Sequence, residues 1–243
     1  MKLKASLPPH GVTLVEVLVV LFVLGVVAGV LLPQCNQSRH QSRRIQCLGN
    51  LKQIGLAMRM WSNDHAEQFP WKVEKHELGG CDKRDGAGRC GGTGDPLEAI
   101  NDGNLTVFRS LSNELNSPKV LVCSKDTSRS RAQTFDVSRP NAYIAVEQSS
   151  YFVGLFADET QPHTLLTGDR NVVGGQHENR RRTWSARHAK QVDASFDRGL
   201  HDRAGNVGLA DGSASQVARG ELGKLIAVAN ESSDTNTVLQ FPE

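Results

Sequence analysis

Aromatic residues are scarce in this chain, 5% of its composition, and it is not built like the many carbohydrate binders that are rich in them. Charge of one sign is also missing. A formal net charge of +2 gives no general reason to seek nucleic acid or anionic lipid. The run Arg180-Arg181-Arg182 is the one local exception and reads as a solvated loop. There is no nucleophile elbow, no phosphate-binding loop and no His-Glu-x-x-His, so the common signatures of hydrolases and nucleotide enzymes are absent. Gly79-Gly80 and Gly91-Gly92 are loop glycines without the strand and helix context that phosphate binding needs. The cysteines do not fall in the closely spaced pairs of a zinc site. What remains, 22% charged residues in 243, describes a globular chain long enough for one domain with additions or for two small ones.

The first thirty residues contradict that bland description. From Val12 to Leu32 the only polar side chains are Thr13 and Glu16, and only Gly25 and Gly29 interrupt the run. As a helix it measures roughly 31 Å at about 1.5 Å per residue, enough to span a hydrocarbon core. A cleaved secretory signal is shorter and ends in small residues, whereas this run ends Leu31-Leu32-Pro33-Gln34. A lipoprotein signal would need small residues ahead of Cys35. An uncleaved anchor explains the length but not the pattern at Gly11.

That pattern, Gly11-Val12-Thr13-Leu14-Val15-Glu16 after a short leader bearing Lys2 and Lys4, resembles the site read by prepilin peptidases. The resemblance is to type IV pilins and the pseudopilins of type II secretion. It implies cleavage between Gly11 and Val12, methylation of the new amine, and Glu16 as the family's glutamate. Val12 stands where the family usually has phenylalanine. The cut also removes Lys2 and Lys4 and leaves a chain with no net charge. A carboxylate in a membrane helix costs about 2 to 3 kcal/mol at mid-bilayer, so Glu16 wants a partner or a place near the headgroups. The resemblance supplies the partner: the terminal amine of a neighbouring subunit. Lys2 and Lys4 at one end and Arg39, Arg43 and Arg44 at the other leave orientation undecided by charge, and the cytoplasmic leader is what the resemblance implies.

Pro33 predicts a kink. Beyond it Ile45, Leu48, Leu51, Ile54, Met58 and Trp61 recur every three or four residues, an apolar stripe expected to lie on the chain's own sheet rather than in a coiled coil. The segment Gln46 to Leu56 resembles the one that follows the membrane helix in a large group of pseudopilin-like proteins. Asn63 to Pro70 ends the helix, and Gly79 to Gly94 reads as a loop insertion. A short helix is expected around Phe108, Leu111 and Leu115. Strands are expected at Val120 to Cys123, Tyr151 to Phe156 and His163 to Thr167, a hairpin of type I′ turn at Asp211-Gly212, and a last helix at Glu221 to Asn230. The expected fold is α+β and type IV pilin-like, a long N-terminal helix packed on an antiparallel sheet. Its parts are a leader (1–11), a transmembrane helix (12–32), an amphipathic stem (33–64) and an extracytoplasmic domain (65–243).

His201, nine intervening residues and Asp211-Gly212 match a spacing that recurs near the carboxyl end of such proteins, and Ser149 to Leu155, 158–162 and Gly168 to Asn171 also resemble family segments. The five cysteines, Cys35, Cys47, Cys81, Cys90 and Cys123, all follow the apolar run, where an oxidising periplasm permits disulfides. Cys81 and Cys90 bracket a loop, Cys47 is placed to tie the stem to Cys123, and an odd number leaves at least one over. His177, His188 and His201 with Asp169, Asp193 and Asp211 are the residues able to gather round a metal or substrate, but no spacing fixes them together. Asp211 reads better as a turn residue and His201 as a hydrogen-bonding histidine. No cofactor is expected. Some pseudopilins bind calcium through oxygen-rich carboxyl-terminal loops, which makes calcium the one candidate ion, without named ligands.

The resemblance implies a structural subunit rather than an enzyme. Its partners are a prepilin peptidase, other pseudopilin subunits and the inner membrane, with no nucleic acid. It implies a single-pass inner-membrane protein with its head in the periplasm, or a place in an extracellular fibre. The competing expectation is a membrane-tethered binding module or hydrolase that uses the prepilin pathway only for export.

Overall fold

The computed structural model describes residues 13–31, 34–73, 104–174, 176–178, 183–186, 192–232 and 237–242. Two units are distinguished, residues 1–42 and 43–243. In the first, helix α1 (Leu14–Leu31) is apolar on every side but for Glu16 in its first turn, and its large side chains are exposed, from Leu14 at 77% to Val27 at 46%. Among the described residues no helix is long and apolar enough to cross a membrane. Both ends of the expected 12–32 span, and the proline of the expected kink, lie outside the described residues.

Helix α2 (Gln34–Asp64) carries the stem. Its buried seam runs Cys47, Leu51, Ile54, Met58, Trp61, alternating steps of four and three, the spacing that keeps one face of a helix turned inward. Ile45 does not belong to it. It is 54% exposed, because the seam is held by Cys47 two residues on, about 200° round the helix, and a helix cannot present both positions to the same sheet. The helix stops where the Ser62 carbonyl accepts from the amides of His65 and Glu67 and the chain turns through the left-handed region at Ala66 and Glu67.

After residue 103 come two short helices, α3 (Asn104–Ser110) and α4 (Ser112–Leu115). The expected strand at Val120 to Cys123 is instead a three-ten turn, Pro118–Leu121. Pro118 at its start offers no amide hydrogen, the Ser117 hydroxyl accepts from the Lys119 amide, and among the described residues no strand forms a ladder with this segment, its Leu121 carbonyl accepting only from the Ser150 amide.

The sheet has seven strands in the order β4 (Gln176–Glu178), β5 (Thr183–Ala186), β9 (Thr237–Gln240), β1 (Tyr151–Gly154), β2 (Leu165–Asp169), β7 (Gly205–Leu209) and β8 (Ala214–Val217). Every pairing is antiparallel. A separate two-stranded ribbon joins β3 (Val172–Gly174) to β6 (Ala194–Phe196). The chain is therefore α+β.

Both faces of the central strands are covered, which is why all of β1 and β2 is buried rather than alternating in and out. Tyr151, Val153 and Leu166 pack with the stem seam on one face. On the other, Phe152, Leu165, Val207 and Leu239 pack with Leu222, Ile226 and Ala229 of the last helix, α5 (Leu222–Ser232), and with Phe196 of the ribbon.

The hairpin between β7 and β8 differs in detail from the expected type I′ turn. Gly212 alone has a positive φ, +81°. The Gly212 amide donates to the Leu209 carbonyl and the Leu209 amide to the Ser213 carbonyl, a three-residue loop closed by a left-handed glycine. Asp211 serves it through Oδ1, which accepts from the Ser213 amide at 2.8 Å.

Candidate functional site

At the start of α1, Thr13 and Glu16 form a reciprocal cap. Glu16 Oε2 accepts from the Thr13 amide (2.8 Å) and hydroxyl (3.0 Å), while Thr13 Oγ1 accepts from the Glu16 amide (3.3 Å). This is a capping box, Thr-x-x-Glu ahead of an apolar run, and the spacing was there to be read in the sequence. It gives Glu16 a partner within its own chain. Gly11 and Val12 lie outside the described residues, as do Cys81, Cys90, the 79–94 insertion, the Arg180–Arg182 run and His188. The side chains of Cys35 and His177 do too.

The carboxyl-terminal motif is fastened to the stem at both ends. Its Asp211 carbonyl accepts from Arg59 NH1 at 2.7 Å, and Gly212 lies against Gly55, where an added Cβ would stand 3.6 Å from the Gly212 Cα. Its other end, His201, sits by the disulfide joining Cys47 of the stem to Cys123, whose Cα atoms are 5.3 Å apart. His201 Nε2 lies 3.5 Å from Cys123 Sγ and 3.5 Å from Asp169 Oδ2. Of the loose histidine and aspartate set, then, His201 and Asp169 are brought together. Asp211 is taken up by its turn, and Asp193 is exposed.

Asp169, at the end of β2, is fully buried. Oδ2 accepts from the Asn206 amide (2.7 Å) and side chain (3.1 Å), and Oδ1 has no hydrogen-bond partner. Burial pushes its carboxyl up to about 7, against the pull of Asn206 and the Arg44 guanidinium. Burial likewise draws the His201 imidazole down to about 4, helped by Arg44 and Lys125. Arg44 reaches from the stem to the carbonyls of Gly205 (3.2 Å) and Val217 (3.0 Å), one on each strand of the β7–β8 hairpin.

A second polar knot lies nearby in sequence. Asp126 takes a two-pronged contact from Arg170, Nε to Oδ2 at 2.8 Å and NH2 to Oδ1 at 3.1 Å, and further hydrogen bonds from Ser128 and Ser150. Burial alone would raise this carboxyl, but the donors outweigh it and hold it at about 2. Asn206 and Asp126 are polar residues with no telling spacing, and Arg44 drew notice in the sequence only as a charge flanking the apolar run. Taken as chemistry, these contacts tie elements together.

Two families match. Residues 9–32 match the prokaryotic N-terminal methylation motif, and residues 36–85 match a family described as a protein of unknown function (DUF1559). No curated protein and no solved structure matches the chain. The first match covers the Gly11–Glu16 pattern and the apolar helix, the second the stem with its Cys47 to Trp61 seam, so over these stretches the chain is similar to type IV pilin-like proteins with the prepilin-type methylation motif.

Proposed function

We propose that the chain is a pseudopilin-like structural subunit, without catalytic activity, that assembles into the periplasmic pseudopilus or pilus of a type II secretion or type IV pilus-like system. The motif implies processing by a prepilin peptidase and assembly with other pilin-like subunits. The observation that carries the reading is α1 itself. Large apolar side chains from Leu14 to Val27 stand exposed right around the helix, within the stretch that matches the methylation motif. Covering that many side chains is worth on the order of 10 to 20 kcal/mol, which a bilayer supplies before assembly and neighbouring helices supply after it. In this reading the span is 12–32, α1 with its flanking residues, anchored in the inner membrane, and the α+β head lies in the periplasm.

Coexpression of the full chain with a prepilin peptidase tests the first step. Mass spectrometry should find a new terminus at Val12 that depends on the peptidase and is abolished by Gly11→Ala. A chain that retains Met1 beside an active peptidase defeats the proposal. Assembly is then read as peptidase-dependent crosslinked multimers, whose absence in cells carrying the rest of the apparatus defeats the fibre reading.

A further inference from the structure

The corner where stem, turn and motif meet holds more than a disulfide. Cys47 Sγ, Cys123 Sγ and a ring nitrogen of His201 all lie within 4.8 Å of one another, and they come from three separate places: the stem helix, the loop after the three-ten turn, and the connection between β6 and β7. We propose that, with the disulfide reduced, these three side chains bind one thiophilic d10 cation, zinc, so that the corner has two alternative cross-links, covalent and metal-mediated.

One nitrogen–sulfur pair already stands at the spacing the metal needs. Tetrahedral bonds of about 2.05 Å to imidazole and about 2.3 Å to thiolate set their ligand atoms about 3.6 Å apart. Cys123 Sγ and His201 Nε2 stand 3.5 Å apart. Once the bond between them is gone the two sulfurs must part to roughly 3.8 Å, with Cys47 Sγ, now within 4.8 Å of the ring nitrogen, settling at the same distance of about 3.6 Å from it. The set Cys2His matches protein zinc centres that leave a fourth position to water.

Asp169 draws a cation toward this corner, against the positive charges of Arg44 and Lys125 that also act there. Asp169 Oδ2 is 3.5 Å from the same ring nitrogen, and Asp169 Oδ1 is buried without any hydrogen-bond partner. A buried carboxylate oxygen left unpaired is costly, and positive charge beside it offsets that cost.

The reaction balances simply. An external dithiol breaks the Cys47–Cys123 bond, giving up two electrons and two protons to leave two thiols and becoming a disulfide itself. Zinc then displaces both thiol protons and takes the lone pair of the His201 nitrogen.

The test uses the detergent-solubilised full chain with Cys35, Cys81 and Cys90 changed to Ser, reduced with a phosphine and freed of it. Titration with cobalt(II) should saturate at about one equivalent. It should give a thiolate charge-transfer band in the near ultraviolet and the intense visible bands of a four-coordinate ion, both bleached by zinc. His201→Ala should weaken zinc by roughly tenfold or more, the scale on which even outer-shell partners matter. The intact side-chain set provides a separate readout. Zinc should raise the melting temperature of the reduced chain, a chelator should reverse this, and the oxidised chain should not respond. Absence of the cobalt bands, His201→Ala binding like its parent, or a reduced chain whose melting ignores zinc would each overturn the proposal.

Discussion

Glu16 is assigned two roles that a pair of substitutions separates. In the single chain its carboxylate closes the capping box with Thr13; in the proposed fibre its charge meets the amine freed at Val12 of a neighbour. Glutamine keeps an oxygen in the right place to accept from Thr13, so Glu16→Gln should leave the cap nearly intact while removing the charge. Thr13→Ala does the reverse, with a cap loss of about 1 kcal/mol, roughly fivefold in an equilibrium. Removing one member of a desolvated ion pair costs about 3 to 5 kcal/mol, a factor of more than about a hundred. After confirming leader removal by mass, multimers are quantified by crosslinking in cells, and helix content is followed by circular dichroism of the processed chain in micelles. Glu16→Gln should be processed and helical yet assemble at under about 1% of the parental level, whereas Thr13→Ala should assemble within about tenfold of it. Normal assembly of Glu16→Gln alongside failure of Thr13→Ala would refute the charge argument and leave the cap as the glutamate's only task.

Cys47→Ser should lower the unfolding free energy of the oxidised chain by about 4.5 kcal/mol, the chain-entropy value for closing a loop across 76 residues, with Cys123→Ser and the double variant equal to it in denaturant titrations. Gly212→Ala forces a side chain to φ +81° with Arg59 Cδ only 3.0 Å from the new Cβ, and should cost about 1 to 2 kcal/mol in the same assay. Asp126, held at about 2 against an ordinary 3.8, contributes about 2 kcal/mol that is present above pH 4 and disappears as pH falls toward 2; Arg170→Ala should flatten that acid limb. Asp169 and His201 oppose each other. The carboxyl, raised to about 7, makes stability fall as pH climbs from about 4 to 7, while the imidazole, lowered to about 4, makes it rise between about 4 and 6.5. Asp169→Asn should therefore uncover the rising limb alone and exceed the parent at pH 8 by about 4 kcal/mol in thermal melts; a curve parallel to the parent's would show that Asp169 is ionised throughout.

Periodic and punctuating features were legible in the sequence. The stem from Leu51 to Trp61 announced itself by its three-and-four spacing, and the β7–β8 hairpin by Asp211-Gly212, because helix faces and tight turns are set by neighbours in the chain. What failed was set by distant partners. Val120 to Cys123 is β-branched and apolar enough for a strand, but a strand exists only where another lies beside it, and here Pro118 begins a three-ten turn. Ile45 fits the stripe by number alone, while Cys47 holds the seam. At the candidate site, His201 was visible through its spacing to Asp211. Its company of Asp169, Cys123 and, through the disulfide, Cys47 is spread over more than a hundred residues and has no local signature.

The hairpin that Arg59 and Arg44 both grip has a mechanical consequence. With Arg59 on the Asp211 carbonyl, Arg44 on Gly205 and Val217, and a covalent tie at Cys47, tension applied along residues 44–59 enters the head at several points spread over about four helical turns. Those attachments share the load in parallel instead of peeling one after another, and the stem should yield within itself before it tears from the sheet.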